Sequence, residues 1–426
     1  MKKIILKNGL RIIAVSQPRA QAVTVLVLAG TGSEYEEKEI SGISHFLEHM
    51  FFKGTLKRPN TIAIAESLDR VGGSYNAFTG EEYTGYYAKV DARHFDLALD
   101  WVSDIFLNSK LEAEEIEREK GVIIEEINMY YDNPSAHVQT LWRELLYGDQ
   151  PAGWNIAGTK ETVSAINREK LAGYREIQYT PSNTIVCIAG NFKSPEAIEK
   201  IKARFSKMKV GQFKEKQKTI EVQTKPECIL QERKTDQTQL CLGVRAYNLF
   251  HPQKYALEIL GVILGGMMSS RLFVKVRVRL GLAYHISTDV SPETDSGFLV
   301  TQAGLNNGNV EKAVAVILEE YKKISLEKVP PAELKKAKEY LKGKMALGLE
   351  LSDAKASFFG MQELLEKEIL TPEQICAEID KVTGKDVLNV AKDIFKPEKL
   401  NLAIIGPFNN KSKFLEILKS TAKRSS

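Results

Sequence analysis

The apolar positions at the start of the chain fall in two short β-rich runs, Ile4-Ile5-Leu6 and Leu10 through Val15, on either side of Asn8-Gly9. Asn-Gly between such runs is the preferred two-residue type I′ hairpin turn, so folded structure is expected from the first residues on. Another β run, Ala22 to Leu28, precedes a segment with a different period. There Ile43, Phe46, Leu47, Met50 and Phe51 fall at i, i+3, i+4, i+7 and i+8, the stripe of a helix with one buried face. A β-rich run from Tyr75 to Val90 follows, then an amphipathic helix from Asp91 to Phe106 and a charged helix from about Glu112 to Tyr130. An apolar run closes this part at Asn183 to Phe192. The same order then recurs: a strand at Leu240 to Val244, a helix at Tyr255 to Leu264 and β-rich runs from Ala283 to Ala303. Helices at Val310 to Ile324 and from about Pro331 lead to a last apolar run, Leu400 to Phe408.

Both closing runs pass from an apolar strand into Gly-x-Phe, which points to an internal duplication with a period of roughly 210–220 residues. The expected division is residues 1–210, a Lys- and Gln-rich linker at 211–226, and a homologous domain at 227–426. Strands in hairpin order pair antiparallel. The expected class is therefore α+β, with two similar domains, each a largely antiparallel sheet with several helices packed on it.

Composition narrows the function classes. The 426 residues carry a net charge of only +4, with 43% hydrophobic and 27% charged residues, which excludes a disordered chain and argues against a dedicated nucleic-acid binder. No stretch approaches the roughly 18 uninterrupted apolar residues of a membrane helix, so no membrane partner is expected. The apolar run between Lys3 and Lys7 is too short for a secretory signal, and a cytoplasmic, bacterial setting is expected. Cys187, Cys228, Cys241 and Cys376 form no C-x-x-C pair and read as free thiols.

Candidate chemistry sits on the helix at 43–51. At about 100° per residue, His45, Glu48 and His49 cluster opposite its apolar stripe. Histidines at i and i+4 can set two imidazole nitrogens on one metal ion, and the glutamate between them stands where it could work on a water. This is the inverted zincin pattern, H-x-x-E-H. A solvated polar face is the plain alternative, but with six histidines in the chain the pattern is rarely met by chance. A catalytic zinc needs a third protein ligand. In the helix from about Glu112 to Tyr130, the apolar face drawn through Ile116, Val122, Ile123, Ile127, Met129 and Tyr130 also takes in Glu119 and Glu126. These two are seven residues apart, about 20° from eclipsed. A buried carboxylate needs a partner, because desolvating it costs several kcal/mol, and a divalent cation would supply one. Glu125, about 100° round the helix, is expected to face solvent. Periodicity leaves both Glu119 and Glu126 as candidates.

The arrangement His45-x-x-Glu48-His49, then Glu119, then Glu126 resembles the pitrilysin/insulinase family of zinc metallopeptidases, in the short-chain subgroup similar to mitochondrial processing peptidase. In that family the metal-binding glutamate follows the second histidine by 77 positions, the spacing from His49 to Glu126 here, and the acidic residue seven positions earlier matches Glu119. The runs from Gly42 to Thr55 and from Gly73 to Thr79 carry the same resemblance. It implies one Zn2+ in the catalytic N-terminal domain, bound by His45, His49 and Glu126, with Glu48 as general base and Glu119 orienting a histidine. The C-terminal domain would hold no metal ligands. The resemblance also implies that Asn76, Ala77, Phe78 and Thr79 form an edge strand to which an extended substrate adds. Read alone, that aromatic-rich run looks like core. Arg277 and Tyr284 are implied to contact the substrate carbonyl and to stabilise the tetrahedral intermediate.

The implied function is a zinc-dependent endopeptidase for peptides or unfolded polypeptides, working inside a closed chamber. A homodimer is expected, or a heterodimer with a related chain, in which Arg277 and Tyr284 complete the other subunit's site. Two readings compete with this one. A non-catalytic structural or binding subunit is disfavoured by the complete ligand set, and a zinc hydrolase of non-peptide amides by the strand segment.

Overall fold

The chain opens with the expected hairpin, in which β1 (Lys2–Ile5) pairs antiparallel with β2 (Arg11–Ser16). Its turn differs from the two-residue type I′ form. Only Gly9 has a positive φ (92°), Gly9 N–H bonds to Leu6 C=O at 2.9 Å, and Leu6 N–H bonds to Leu10 C=O at 2.8 Å. Glycine thus closes a longer loop, and Asn8 needs no left-handed backbone.

The computed structural model describes residues 1–423, which fall into two compact units. The first holds β1, β2, β3 (Ala22–Ala29), β4 (Ser74–Thr79), β5 (Thr84–Asp91) and β6 (Thr184–Gly190). They form one sheet in the order β1-β2-β6-β3-β5-β4, antiparallel except for the β2/β6 pair. The second unit holds β7 (Glu227–Glu232), β8 (Gln237–Arg245), β9 (Ala283–Pro292), β10 (Gly297–Asn306) and β11 (Leu400–Gly406), in the order β7-β11-β8-β10-β9 with only β7/β11 parallel. Without β1, the first order maps strand for strand onto the second. The expected α+β class with two similar domains is the architecture found.

The helices of the first sequence half are α1 (Ile43–Met50), α2 (Thr61–Asp69), α3 (Phe95–Asn108), α4 (Ala113–Asp132), α5 (Pro134–Tyr147), α6 (Lys160–Ala165), α7 (Arg168–Gln178) and α8 (Ser194–Phe205). Those of the second half are α9 (Lys254–Gly261), α10 (Val310–Leu326), α11 (Pro331–Gly348), α12 (Ser352–Met361), α13 (Pro372–Lys381), α14 (Gly384–Ile394) and α15 (Lys411–Lys423). Residues 211–226 contain no helix or strand.

The units do not follow the division at 1–210 and 227–426. Residues 129–153, with α5, belong to the second unit, and residues 347–369, with α12, belong to the first. The reason lies in the sheets. β6 is buried along all seven residues. By the two-residue period of a strand, Val186 and Ile188 join one core while Ile185, Cys187 and Ala189 turn to the other face, where Ala356, Phe359 and Leu364 cover them. In the second unit, Val138, Leu141, Trp142 and Leu146 of α5 likewise cover Cys241, Phe298, Ala403 and Ile405. Each sheet is apolar on both faces, and its second face is closed by a helix taken from the other half of the sequence.

Candidate metal centre

The apolar stripe of α1 is fully sequestered: Ile43, Phe46, Leu47 and Met50 are all 0% exposed. That anchors the opposite face, with His45, Glu48 and His49, at a fixed orientation. The start of the helix is held by Glu36, a buried residue outside it. Its carboxylate accepts the Gly42 and Ser44 backbone N–H groups at 2.6 and 2.8 Å, two donors that a helix end otherwise leaves unpaired. Burial pushes the Glu36 carboxyl up to about 8, an effect those two donors only partly offset.

The two imidazoles lie with ring centroids 4.6 Å apart. From α4, Glu126 Oε2 stands 3.6 Å from His45 Nε2 and 3.4 Å from His49 Nε2, and the three donor atoms all lie within 4.8 Å of one another. Ligands about 2.0–2.1 Å from a tetrahedral zinc would be about 3.3 Å apart, so the two nitrogens and the carboxylate oxygen fit such an ion. The far side of His49 supports the same assignment. Its Nδ1 hydrogen-bonds Glu119 Oε1 at 2.8 Å, leaving Nε2 to the centre. Lys53 Nζ holds the other Glu119 oxygen at 2.6 Å.

Electrostatics divide these groups. Burial lowers His45 to about 4, helped by the neighbouring His49. Burial acts the same way on His49, but its hydrogen bonds to Glu119 and Glu126 outweigh it and push the imidazole up to about 9. Glu119 is raised by burial, yet its bonds to His49 and Lys53 carry it below the ordinary carboxylate value. Glu126 is lowered chiefly by its bond to His49. Glu48 moves the other way: burial raises it, and a bond from Thr79 Oγ1 at 2.5 Å opposes the rise.

His45, Glu48, His49, Glu119 and Glu126 are thus brought together as expected. The face of α4 is narrower than expected, however. Ile116 and Ile123 are buried with Glu119, whereas Val122, Met129 and Tyr130 are 51%, 58% and 46% exposed. Glu125 is exposed, as the periodicity implied. The run Asn76 to Thr79 lies on β4, which ends the sheet and, among the described residues, pairs only with β5. Ala77 is buried in the core, and Asn76 Oδ1 accepts the Ala77 N–H at 2.9 Å. Phe78 meets Tyr83 edge-on with centroids 5.9 Å apart. Thr79 carries a contact that sequence reasoning missed, its bond to Glu48. Lys53 was missed too: it lies beyond the end of α1, so no helical spacing ties it to Glu119. Nothing in the local sequence marked Glu36.

Arg277 and Tyr284 belong to the second unit. Arg277 lies in a π-helical turn, Phe273–Arg279, and Tyr284 near the start of β9 is 77% exposed. The guanidinium carbon sits over the Phe273 ring at 4.8 Å and the Tyr284 ring at 5.7 Å, an arrangement that cation–π attraction favours.

Residues 11–160 match the family model described as Insulinase (peptidase family M16), and residues 165–341 match the one described as the peptidase M16 inactive domain. An uncharacterized zinc protease of Bacillus subtilis, YmxG, is 38% identical over 96% of this chain and 99% of its own length. One from Mycobacterium leprae is 34% identical over 95% of this chain and 92% of its own. Among solved structures, a protease from Helicobacter pylori has the same fold, with a TM-score of 0.89 at 23% identity, covering 95% of this chain and 99% of that one. Among the described residues, no helix is long and apolar enough to cross a membrane.

Proposed function

This chain belongs to the insulinase family of peptidases, and on that premise we propose that it is a zinc-dependent endopeptidase acting on peptides or unfolded polypeptides. The observation that carries the proposal is the convergence of His45 Nε2, His49 Nε2 and Glu126 Oε2 beside the half-buried carboxylate of Glu48. Held by those three donors, a zinc ion would supply Lewis acidity and bring the pKa of a water towards about 7. Glu48 takes the proton of the attacking water and passes it to the leaving amine. Its raised pKa suits both halves of that transfer. Glu119 and Lys53 fix the tautomer and direction of His49.

The free edge of β4 is the proposed docking line, where an extended chain adds one strand by main-chain hydrogen bonds. A chamber that admits only extended chains would account for the substrate class, and a bacterial cytoplasm is the proposed setting. Arg277 and Tyr284 present donors suited to a developing oxyanion. Their proposed place is the active site of the other subunit in a dimer. Mixing Glu48→Gln with Arg277→Ala subunits should then restore part of the activity; no recovery despite demonstrated subunit exchange would count against it.

The principal test is digestion of a library of unstructured peptides, read by mass spectrometry. Wild-type protein with zinc should cleave, and chelation should stop it reversibly. Glu48→Gln should bind zinc normally and cleave nothing. Turnover retained by a clean Glu48→Gln preparation would sink the assignment.

A further inference from the structure

We infer that Thr79 is a positioning residue: its side chain holds the Glu48 carboxylate in place while its main chain lies on the strand edge where the substrate would add. The inference rests on the reading of Glu48 as the base and of β4 as the docking edge. Among the described residues, the hydrogen bond to the Glu48 carboxylate comes from Thr79 Oγ1, at 2.5 Å, from Oε2. A glutamate has three side-chain torsions to fix, and that hydroxyl is what fixes the end of this one. Threonine is itself restricted about χ1, which makes it a stiff donor.

The register explains how one residue serves two purposes. Side chains at 75, 77 and 79 share one face of β4. Tyr75 packs against Trp101 with centroids 5.1 Å apart, and Ala77 is 8% exposed within the core beneath α1. The Thr79 side chain is therefore directed to that same helical side, where Glu48 meets it. The backbone of β4 pairs with β5 on one edge only, Thr79 facing Thr84 in register. A substrate strand on the other edge would be set against the same residue that sets the base. The resemblance implied a substrate-binding role for Thr79, whereas the contact assigns its hydroxyl to Glu48.

Thr79→Val keeps the shape and removes the donor; Thr79→Ser keeps the donor. Losing one hydrogen bond to a charged acceptor should lower kcat about 10- to 100-fold in the valine variant. KM should stay within about twofold, zinc content should not change, and serine should recover most of the rate. A rise in KM at unchanged kcat, or serine as impaired as valine, would overturn the inference. Thr79→Ala provides the same reading if valine lowers Tm sharply.

A crystal structure of Thr79→Val gives a readout independent of activity. The Glu48 carboxylate should move by about 1 Å or occupy more than one rotamer, a misplacement large enough to matter for catalysis. An unmoved, single Glu48 rotamer overturns the inference whether or not the enzyme cleaves. Failure of the endopeptidase reading shows up separately, as a wild-type protein that cleaves nothing under conditions where zinc is bound.

Discussion

Glu119→Ala is the sharpest test of how the centre is built. Glu119 is 4% exposed and bridges His49 Nδ1 (2.8 Å) to Lys53 Nζ (2.6 Å). Each charge-assisted bond of this type is worth about 1.5–3 kcal/mol, and removing the partner of a metal-binding histidine costs about 10–100-fold in affinity, or roughly 1.4–2.8 kcal/mol. The two routes agree, so zinc affinity should fall by one to two orders of magnitude at most. The sign of the pH dependence follows from His49. Its imidazole is pushed up to about 9, so below that pH zinc must displace a proton, and Glu119 strengthens the hold on that proton as well as the metal ligand. Removing Glu119 therefore weakens both competitors at pH 7, and the loss should be larger at pH 9, where the proton competes far less. Competition against a fluorescent chelator at both pH values measures this, with Tm of the apo-protein as the control for folding. Affinity within twofold of wild type at pH 9 would refute the arrangement.

Two further perturbations test the scaffold. Gly243 on β8 has no room for a side chain, since a Cβ there would stand 2.0 Å from the Leu299 backbone oxygen of β10. Gly243→Ala should cost about 1–3 kcal/mol or more in urea unfolding, and an unchanged midpoint would contradict the packing. Asp100 is buried and accepts hydrogen bonds from Arg58 (2.8 Å), Arg204 (2.6 Å) and Lys57. Burial alone would raise its carboxyl, but these cations bring it down to about 2, below its ordinary value of 3.8. A depressed carboxylate contributes stability above its unfolded pKa and loses it as pH falls through the folded one. The contribution is at most about 2 kcal/mol once the solvent around Lys57 and Arg204 is allowed for. The stability gap between wild type and Asp100→Asn should close between pH 4 and pH 2; a constant gap would exclude the pairing.

The parts of this molecule that could be read in advance are those with a local period and a local chemistry. The stripe Ile43-Phe46-Leu47-Met50 and the trio His45, Glu48 and His49 lie on one short helix, so a single periodicity places core and chemistry together. The exchange of α5 and α12 between the units was hidden for a physical reason: an amphipathic helix shows that it covers something, not which sheet it covers. The same limit applied to α4. Val122, Met129 and Tyr130 are apolar yet exposed, so apolar character alone drew its buried face too wide, while Glu119 within that face is buried and polar. The contacts of Glu36 with Gly42 and of Thr79 with Glu48 join separate elements through side-chain hydrogen bonds, and no spacing along the chain announces them.

The two units also show how little of a metal centre resides in the fold itself. With α2 set aside, both run strand, helix, hairpin, helix, helix, so α9 and α11 stand where α1 and α4 do in that order. Where α1 offers His45, Glu48 and His49, α9 reads Tyr255 to Gly261 with a single ionisable glutamate and no histidine. Where α4 offers two carboxylates turned inward, α11 carries Lys335, Lys336, Lys338 and Lys342, and its acids are already engaged: Glu333 with Arg271 at 2.7 Å and Glu339 with Lys342 at 2.7 Å. Desolvated imidazoles and carboxylates destabilise a fold unless a partner compensates them, and in the first unit Lys53, Thr79 and the proposed cation each do so. In the second unit the same sheet is stabilised with none of those groups. Histidines alone placed on α9 would therefore lack both a third donor and an anionic partner of the kind Glu119 gives His49, so the difference between the two units comes down to a few side chains, on α1 and α4 and at Lys53 and Thr79, rather than to their shared architecture.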